Sequence, residues 1–249
     1  MKIVQLNIWM GKIEGQLQRF FETTDADVIC MQEVINSVDA TLHVSRLWFE
    51  TSRILKAAGD RFPYSAYFAN WSTRIVDGSL QMGNFIISRI PIVSKDTVFV
   101  NGEYTENVVL VQTPSNNTAV NIVKLENGIT VVNHHGFWRK DPMGDEDSIR
   151  VFKKVGEVVE PLSKEGPLVM CGDLNIIHES PAFRALDFLR DLTDENKLET
   201  TLSGMKFDGK VPCDHILVND EIEVKSFGVI PEIVSDHLAI YAEVEAKNA

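Results

Sequence analysis

Cysteine is scarce in this chain of 249 residues, and what there is does not pair. Cys30, Cys171 and Cys213 are odd in number and far apart, with no C-x-x-C spacing. That excludes a disulfide framework or a zinc ribbon. Each lies in or beside an apolar run and reads as a small buried hydrophobe. Long hydrophobic runs are missing as well. The stretch from Phe85 to Val93 is broken by Arg89, far short of the roughly 18 apolar residues of a membrane span. The opening Met1-Lys2-Ile3-Val4-Gln5-Leu6 reads as a strand without a signal-peptide core, so a cytoplasmic protein with no transmembrane segment is expected. Positive charge is in deficit: 24 Lys and Arg stand against 36 Asp and Glu, a net charge of −12. This disfavours a protein that grips nucleic acid or anionic membrane through a basic surface. It does not disfavour a phosphate substrate, because a few carboxylates holding a divalent cation reverse the local sign. Linkers, low-complexity tracts and internal repeats are also lacking. At 44% hydrophobic residues, residues 1–249 read as a single domain with ample core.

What is there is alternation. Val4, Leu6 and Ile8 share one face of a first strand, and Ile3, Gln5 and Asn7 share the other. Helical spacing follows over Glu14–Thr23, then a short apolar strand over Asp27–Met31. A broad stripe of Val44, Leu47, Trp48, Ile54 and Leu55 predicts a helix over His43–Ala58, stopped by Gly59. From Phe62 to His135 the pattern is strand-like: Tyr64–Ala69, Gln81–Ser88, Ile92–Val100, Val108–Gln112, Ala119–Leu125 and Ile129–His135. Turn signals such as Asp77-Gly78 and Asn127-Gly128 separate these runs. An amphipathic helix over Ile149–Leu162 comes next, then a strand over Leu168–Cys171 and a helix over Pro181–Leu189. Strands near Ile216–Val218, Val224–Val229 and Leu238–Val244 close the chain. So many hairpins with so few helices predict two packed sheets covered by helices.

Polar residues gather where strands are expected to end: Asn7, Glu33, His134-His135, Asp173 with Asn175, Asp214, and Asp236-His237. No serine or cysteine stands in a recognisable nucleophile setting. Carboxylates, amides and imidazoles instead fit oxygen-ligated Mg²⁺ or Mn²⁺ with water as nucleophile. In Cys171-Gly172-Asp173-Leu174-Asn175 the two polar residues share one side of an extended chain, although the same run also makes a turn. Adjacent His134 and His135 point to opposite faces of a strand, so one of them at most enters a site.

Taken in order, several segments resemble the endonuclease/exonuclease/phosphatase superfamily. They are Leu6-Asn7-Ile8-Trp9, Met31-Gln32-Glu33-Val34, Gly83-Asn84-Phe85-Ile86-Ile87-Ser88-Arg89-Ile90-Pro91, Val132-Asn133-His134-His135, Cys171-Gly172-Asp173-Leu174-Asn175, Cys213-Asp214-His215-Ile216 and Ser235-Asp236-His237. That superfamily includes deoxyribonuclease I, exonuclease III-type repair nucleases, neutral sphingomyelinases and inositol polyphosphate 5-phosphatases. The resemblance implies a four-layer α/β sandwich, with two mainly antiparallel β-sheets face to face and helices outside. It implies that Glu33 binds Mg²⁺ or Mn²⁺ directly, with Asn7 and Asp236 as ligands or water-mediated support. Asp173, helped by Asn175, orients or deprotonates the attacking water. His237, paired with Asp214, contacts the scissile phosphate, and His135 stabilises it from the other side or assists the leaving oxygen. Asn84 is either a phosphate contact or a turn residue. Trp138 and Arg139, with Lys140, either meet the substrate beyond the scissile group or form an ordinary connector. Two departures stand out: Trp9 replaces an acid used by some repair nucleases, and His134-His135-Gly136 replaces the usual Thr-His-Leu.

The function implied is a divalent-metal-dependent hydrolase of phosphate esters, first of all a phosphodiesterase, acting as a monomer. A nuclease on DNA or RNA and a sphingomyelinase-like lipid phosphodiesterase are the enzymatic alternatives. A catalytically inactive binding module on the same scaffold is the other.

Overall fold

The alternation seen in the first strand sets the architecture. In the computed structural model, which describes residues 1–38, 49–75, 78–108, 116–206 and 210–247, that strand is β1 (Lys2–Asn7). It lies inside a six-stranded sheet flanked by β12 (Ile240–Ala246) and β2 (Val28–Val38). β11 (Ile222–Val229) extends the sheet beyond β12, and β4 (Gly78–Ser88) and β3 (Tyr64–Ile75) extend it beyond β2. The second six-stranded sheet runs β5 (Ile92–Asn101), β6 (Thr118–Leu125), β7 (Thr130–His134), β8 (Leu168–Asp173), β10 (Asp214–Val218) and β9 (Arg190–Asp191). Among the described residues each sheet has a single parallel strand pair at its centre, β1 with β2 and β7 with β8, and every other strand pair is antiparallel. A parallel pair needs a crossover. Helix α1 (Glu14–Thr23) supplies it in the first sheet and helix α3 (Glu146–Glu165) in the second.

Three apolar layers hold the sandwich together. Val4, Leu6 and Ile8 face outward onto α1 and onto α2 (Thr51–Ala58), where Leu17, Phe21 and Ile54 cover them. Val132, Leu168 and Met170 face outward from the other sheet onto α3, against Phe152, Val155 and Val159. Between the sheets, Ile3, Val28 and Cys30 meet Val131, Val169 and Cys171. Fully burying side chains of this size contributes about 1.5–3 kcal/mol each. This inter-sheet layer changes character along the strands. After Ile3 on β1 comes Gln5, whose Nε2 donates to Gln32 Oε1 at 2.5 Å while Gln32 Nε2 returns a bond to Gln5 Oε1 at 2.8 Å. Gln32 also donates to Asn133 Oδ1 at 2.7 Å, and Asn84 donates to Asn121 Oδ1 at 2.7 Å. Amides buried this deep are tolerable because most of their polar atoms satisfy one another, Asn84 Oδ1 being left without a partner. Beyond the amides, at the carboxyl ends of both parallel pairs, come the charged residues.

The sequence pattern and the structure differ in places. The second strand does not stop near Glu33. It continues to Val38 through a register shift between Met31 and Val34, and Glu33 takes φ 55° there. Asn36 and Ser37 hide this continuation from a hydrophobicity pattern. Pro181–Leu186 is a 3-10 helix rather than an α-helix, and short β9 and α4 (Leu192–Glu195) follow it without a periodic signal. The helix expected over His43–Ala58 is described only from Thr51; His43, Val44, Leu47 and Trp48 lie outside the described residues. So do Asp77 of the expected turn and the expected strand beyond Val108. Among the described residues no helix is long and apolar enough to cross a membrane.

Candidate active site

Carboxyl ends of adjacent parallel strands point the same way, so the two central pairs deliver their last residues to one edge of the sandwich. β1 ends at Asn7, β8 ends at Asp173, and His135 follows directly on β7. β10 runs antiparallel beside β8 with Asp214 opposite Asp173. The chain makes close backbone approaches to seat them. A Cβ on Gly172 would lie 2.1 Å from the His134 carbonyl oxygen, and one on Gly136 would lie 2.0 Å from that of Leu174. Only glycine permits those contacts.

Asp173 is the hub. Its Oδ2 accepts from Asn7 Nδ2 at 3.0 Å and lies 3.6 Å from His135 Nε2 and 3.7 Å from His237 Nε2. Its Oδ1 accepts from the Asn175 backbone N–H at 3.1 Å, and Asn175, at φ 58°, donates its side-chain amide to Gly136 O. Burial pushes the Asp173 carboxyl above its usual range and nearby Asp214 adds to this, against the opposing pull of His237 and His135. It is therefore a stronger base than a solvated aspartate.

His237 is held from behind. Its Nδ1 donates to Asp214 Oδ2 at 2.8 Å, and both side chains are buried. Burial alone would lower the imidazole, but Asp214 and then Asp173 outweigh it and hold His237 well above its usual value. Burial likewise acts to raise Asp214, and the His237 imidazolium outweighs it and holds the carboxyl low. The result is an ion pair whose remaining proton, on Nε2, faces Asp173 and the cleft. Asp214 is steadied in turn by Gln5 Nε2 at 3.2 Å, and its backbone N–H donates to Thr201 Oγ1 at 3.0 Å. Gln5, Gln32, Asn133 and Thr201 escaped the sequence reading as supporting residues. The available signal was polar Gln5 sharing a strand face with Ile3 and Asn7.

The adjacent histidines separate as their alternation requires. His134 points outward, edge-on to Phe152, with Nδ1 against Ala119 O at 2.9 Å; burial drives its pKa to about 4, so it is neutral. His135 is the one that reaches Asp173. Asn84 is fully buried in the amide layer, below the charged residues.

Glu33, Asn7 and Asp236 form the other flank. The bulge at Glu33 turns its side chain to Asn7, whose Nδ2 lies 3.3 Å from Glu33 Oε1 while its Oδ1 accepts from Trp9 N at 3.0 Å. Asp236 is pushed up by burial and further by the charge of Glu33, with His237 and then Lys206, whose Nζ lies at 3.7 Å, opposing. A cation beside these two carboxylates would relieve the repulsion that Glu33 exerts on Asp236, and all-oxygen donors suit a hard divalent ion. Asp173, Cys213, Asp214 and His237 place one polar or sulfur atom each within 4.8 Å of one another. Burial pushes the Cys213 thiol up to about 12.

A cavity of about 360 Å³ opens beside His237 and Asn175. Its walls combine cations at Lys140 and Lys206 with apolar surface at Trp138, Pro142, Leu202 and Val211. Trp138 is half exposed. Arg139 also lines it, while its guanidinium pairs with Asp145 at 2.5 Å and Asp147 at 2.8 Å near the start of α3. His215, next to Asp214 in sequence, faces away from the site: its ring nitrogens meet Asp191 Oδ2 and Ile176 O, each at 2.9 Å.

Comparison with known proteins agrees with this fold. Residues 4–237 match the profile of the Endonuclease/Exonuclease/phosphatase family. No curated protein matches by sequence. Among solved structures, an endonuclease/exonuclease/phosphatase from Beutenbergia cavernae is similar, with TM-score 0.72 and 17% identity over 99% of this chain and 71% of that one. Mannosyl-6-phosphatase Bt3783 of Bacteroides thetaiotaomicron superposes at TM-score 0.64, with 14% identity over 98% of this chain and 99% of that one. The human Nocturnin catalytic domain, solved with a bound sulfate anion, gives TM-score 0.66 and 13% identity over 99% of this chain and 93% of that one.

Proposed function

The chain belongs to the endonuclease/exonuclease/phosphatase family, whose members hydrolyse phosphate esters, and we propose that it is a divalent-metal-dependent phosphodiesterase. The observation that carries this reading is Asp173 Oδ2, buried and basic, between the Nε2 atoms of His135 and His237 at 3.6 and 3.7 Å. A base facing two imidazoles suits attack by water on an anionic phosphorus centre.

Glu33 and Asp236 would hold the metal, with the Asn7 amide fixing Glu33. When bound, a Mg²⁺ or Mn²⁺ ion supplies Lewis-acid polarisation of a phosphoryl oxygen. Asp173 Oδ2 accepts the proton of the attacking water, and Asn175 N–H and Asn7 Nδ2 fix the carboxylate plane. His237 donates from Nε2 to a phosphoryl oxygen, kept charged by Asp214 through Nδ1. His135 approaches from the neighbouring strand and serves the same charge or the leaving oxygen. The cleft wall of Trp138, Pro142, Leu202 and Val211 takes the organic part of the ester, and Lys140 and Lys206 offset its charge. The phosphatase name of Bt3783 and the sulfate anion bound to the Nocturnin catalytic domain are in keeping with an anionic ester as substrate.

The test is hydrolysis of an aryl phosphodiester and the matching monoester with Mg²⁺ or Mn²⁺, using Asp173→Asn as the blank. The diester should turn over faster, and chelator should abolish the rate. Wild type inert toward both substrates sinks the enzymatic reading and leaves the binding module. A panel of duplex DNA, abasic DNA, RNA, sphingomyelin and inositol phosphates then ranks the substrate classes.

A further inference from the structure

Two histidines and an aspartate that the proposed chemistry does not use gather behind the catalytic edge. His215 is fully buried, and both ring nitrogens face acceptors: Nδ1 meets Asp191 Oδ2 and Nε2 meets Ile176 O, each at 2.9 Å. A carbonyl oxygen can only accept, so Nε2 carries a proton, and Nδ1 gives a second one to the carboxylate. Burial alone would lower this imidazole and raise Asp191. Each outweighs that for the other, holding His215 above and Asp191 below its usual range. The same Asp191 Oδ2 accepts from His178 Nδ1 at 3.1 Å, and the Phe183 ring packs against both imidazoles. Asp191 Oδ1 accepts from Thr193 N at 3.0 Å, and Thr193 Oγ1 donates to the backbone carbonyl of Asp214 at 3.1 Å.

These bonds converge on the segment that shapes the site. Residues 174–178 leave β8 directly after Asp173. Within them Asn175 takes φ 58° and gives its backbone N–H to Asp173 Oδ1 at 3.1 Å. A non-glycine residue stays in the left-handed region only where its surroundings over-determine it. On one side Asn175 is held through its side-chain amide on Gly136 O. On the other, His215 grips the carbonyl of the next residue, and His178 ties the end of the segment to the same carboxylate.

We propose that His178, Asp191 and His215 form a positioning device, with His215 its central residue: it fixes the Ile176 carbonyl, and through it the Asn175 N–H that orients the Asp173 carboxylate. A buried ion pair adds little net stability over an apolar filling of similar volume, so its contribution here is geometric. One carboxylate thereby joins the two strand ends that carry the base and the partner of His237, β8 through Ile176 and β10 through Thr193. The effect on turnover rests on the phosphodiesterase reading; the placement of Asn175 does not.

The test compares the full wild-type chain with His215→Phe, which keeps a ring against Phe183 and loses both bonds, and with His215→Gln, which keeps an N–H for Ile176 O. Amide hydrogen exchange, resolved at Asn175 by NMR, reads the placement without turnover. Protection of that amide should fall about 5–10-fold in His215→Phe, as loss of one hydrogen bond predicts, and His215→Gln should restore part of it. In the hydrolysis assay His215→Phe should lower kcat by about 10²-fold, the effect of a ~1 Å misplacement. KM should stay near the wild-type value, and kcat of His215→Gln should lie between the two. Unchanged Asn175 protection in His215→Phe overturns the proposal, whether or not kcat falls. So does a loss carried by KM instead of kcat, a kcat that stays at the wild-type value, or a His215→Gln as impaired as His215→Phe. Wild type inert toward phosphate esters sinks the hydrolase reading alone, and the exchange result still decides the placement. If neither variant folds, long-range ¹H–¹⁵N spectra of the wild type replace them. A doubly protonated His215 ring at neutral pH supports the cluster, and a singly protonated one overturns it.

Discussion

Asp214→Asn isolates the ion pair on which the proposed chemistry rests. The substitution keeps the shape of the side chain and leaves an oxygen for Gln5, 3.2 Å away in the wild type. It removes the negative charge 2.8 Å from His237 Nδ1, where both side chains are buried. Breaking a buried pair by removing one partner costs about 3–5 kcal/mol, and the retained hydrogen bonds place this variant near ~3 kcal/mol. The pH dependence gives the sharper test. His237 is held above its usual pKa in the folded chain, so its contribution is complete below the unfolded value of about 6.5 and fades as pH rises through the folded value. Asp214 is held low, so its contribution is complete above about 3.9 and fades as pH falls through the folded value. The two windows overlap between roughly pH 4 and 6.5. Urea denaturation should therefore show the full difference between wild type and variant at about pH 6, and a smaller one at alkaline pH, once past the raised folded value of His237. Steady-state assays of the same proteins should show kcat reduced by about 10² or more, with the alkaline limb moved toward lower pH. A stability difference that is equal at both pH values, or an unmoved alkaline limb, refutes the pairing as a source of charge on His237.

Other outcomes follow from the same geometry. Asp173→Asn should lower kcat by about 10²–10⁴-fold with little change in fold, measured by steady-state kinetics and circular dichroism. The wild-type pH–rate profile should rise on an acid limb above the ordinary aspartate range, because Asp173 is raised, and fall above the ordinary histidine range, because His237 is raised. His135→Ala should impair turnover, whereas His134→Phe should leave the rate near wild type, since His134 packs on Phe152 with Nε2 lacking a partner; equal losses would contradict the assignment. Gly172→Ala sets a methyl against the His134 carbonyl and should cost about 1–3 kcal/mol of stability in thermal denaturation, as overpacking does. It should also depress kcat by moving His135 relative to Asp173.

Much of this molecule is written in local pattern. Alternation separates Ile3, Gln5 and Asn7 from Val4, Leu6 and Ile8, because side chains on a strand alternate strictly, and the fold turns the first set toward the inter-sheet layer. The same rule sends His134 and His135 to opposite sides. Motif order along the chain indicates the family, and the family indicates the fold. Position on the active edge was harder to read. Glu33 looked like the end of a strand, and in the structure it is a bulge within a longer one, because Asn36 and Ser37 pair with β4 without contributing a hydrophobic signal.

Sequence alone determined which residue types were available, their order, and the faces they could occupy, since those depend on covalent geometry and local periodicity. Tertiary structure alone decided which of them meet. Asp173 and His237 are 64 positions apart in the chain, yet they share a cleft because two parallel strand pairs, each closed by a helix crossover, end at one edge of the sandwich. Burial, likewise a property of the assembled fold, raises Asp173, and the partners packed beside Asp214 and His237 fix their charges. It is also what brings a solitary cysteine, unremarkable in the sequence, to the floor of that cleft beside an imidazole and two carboxylates.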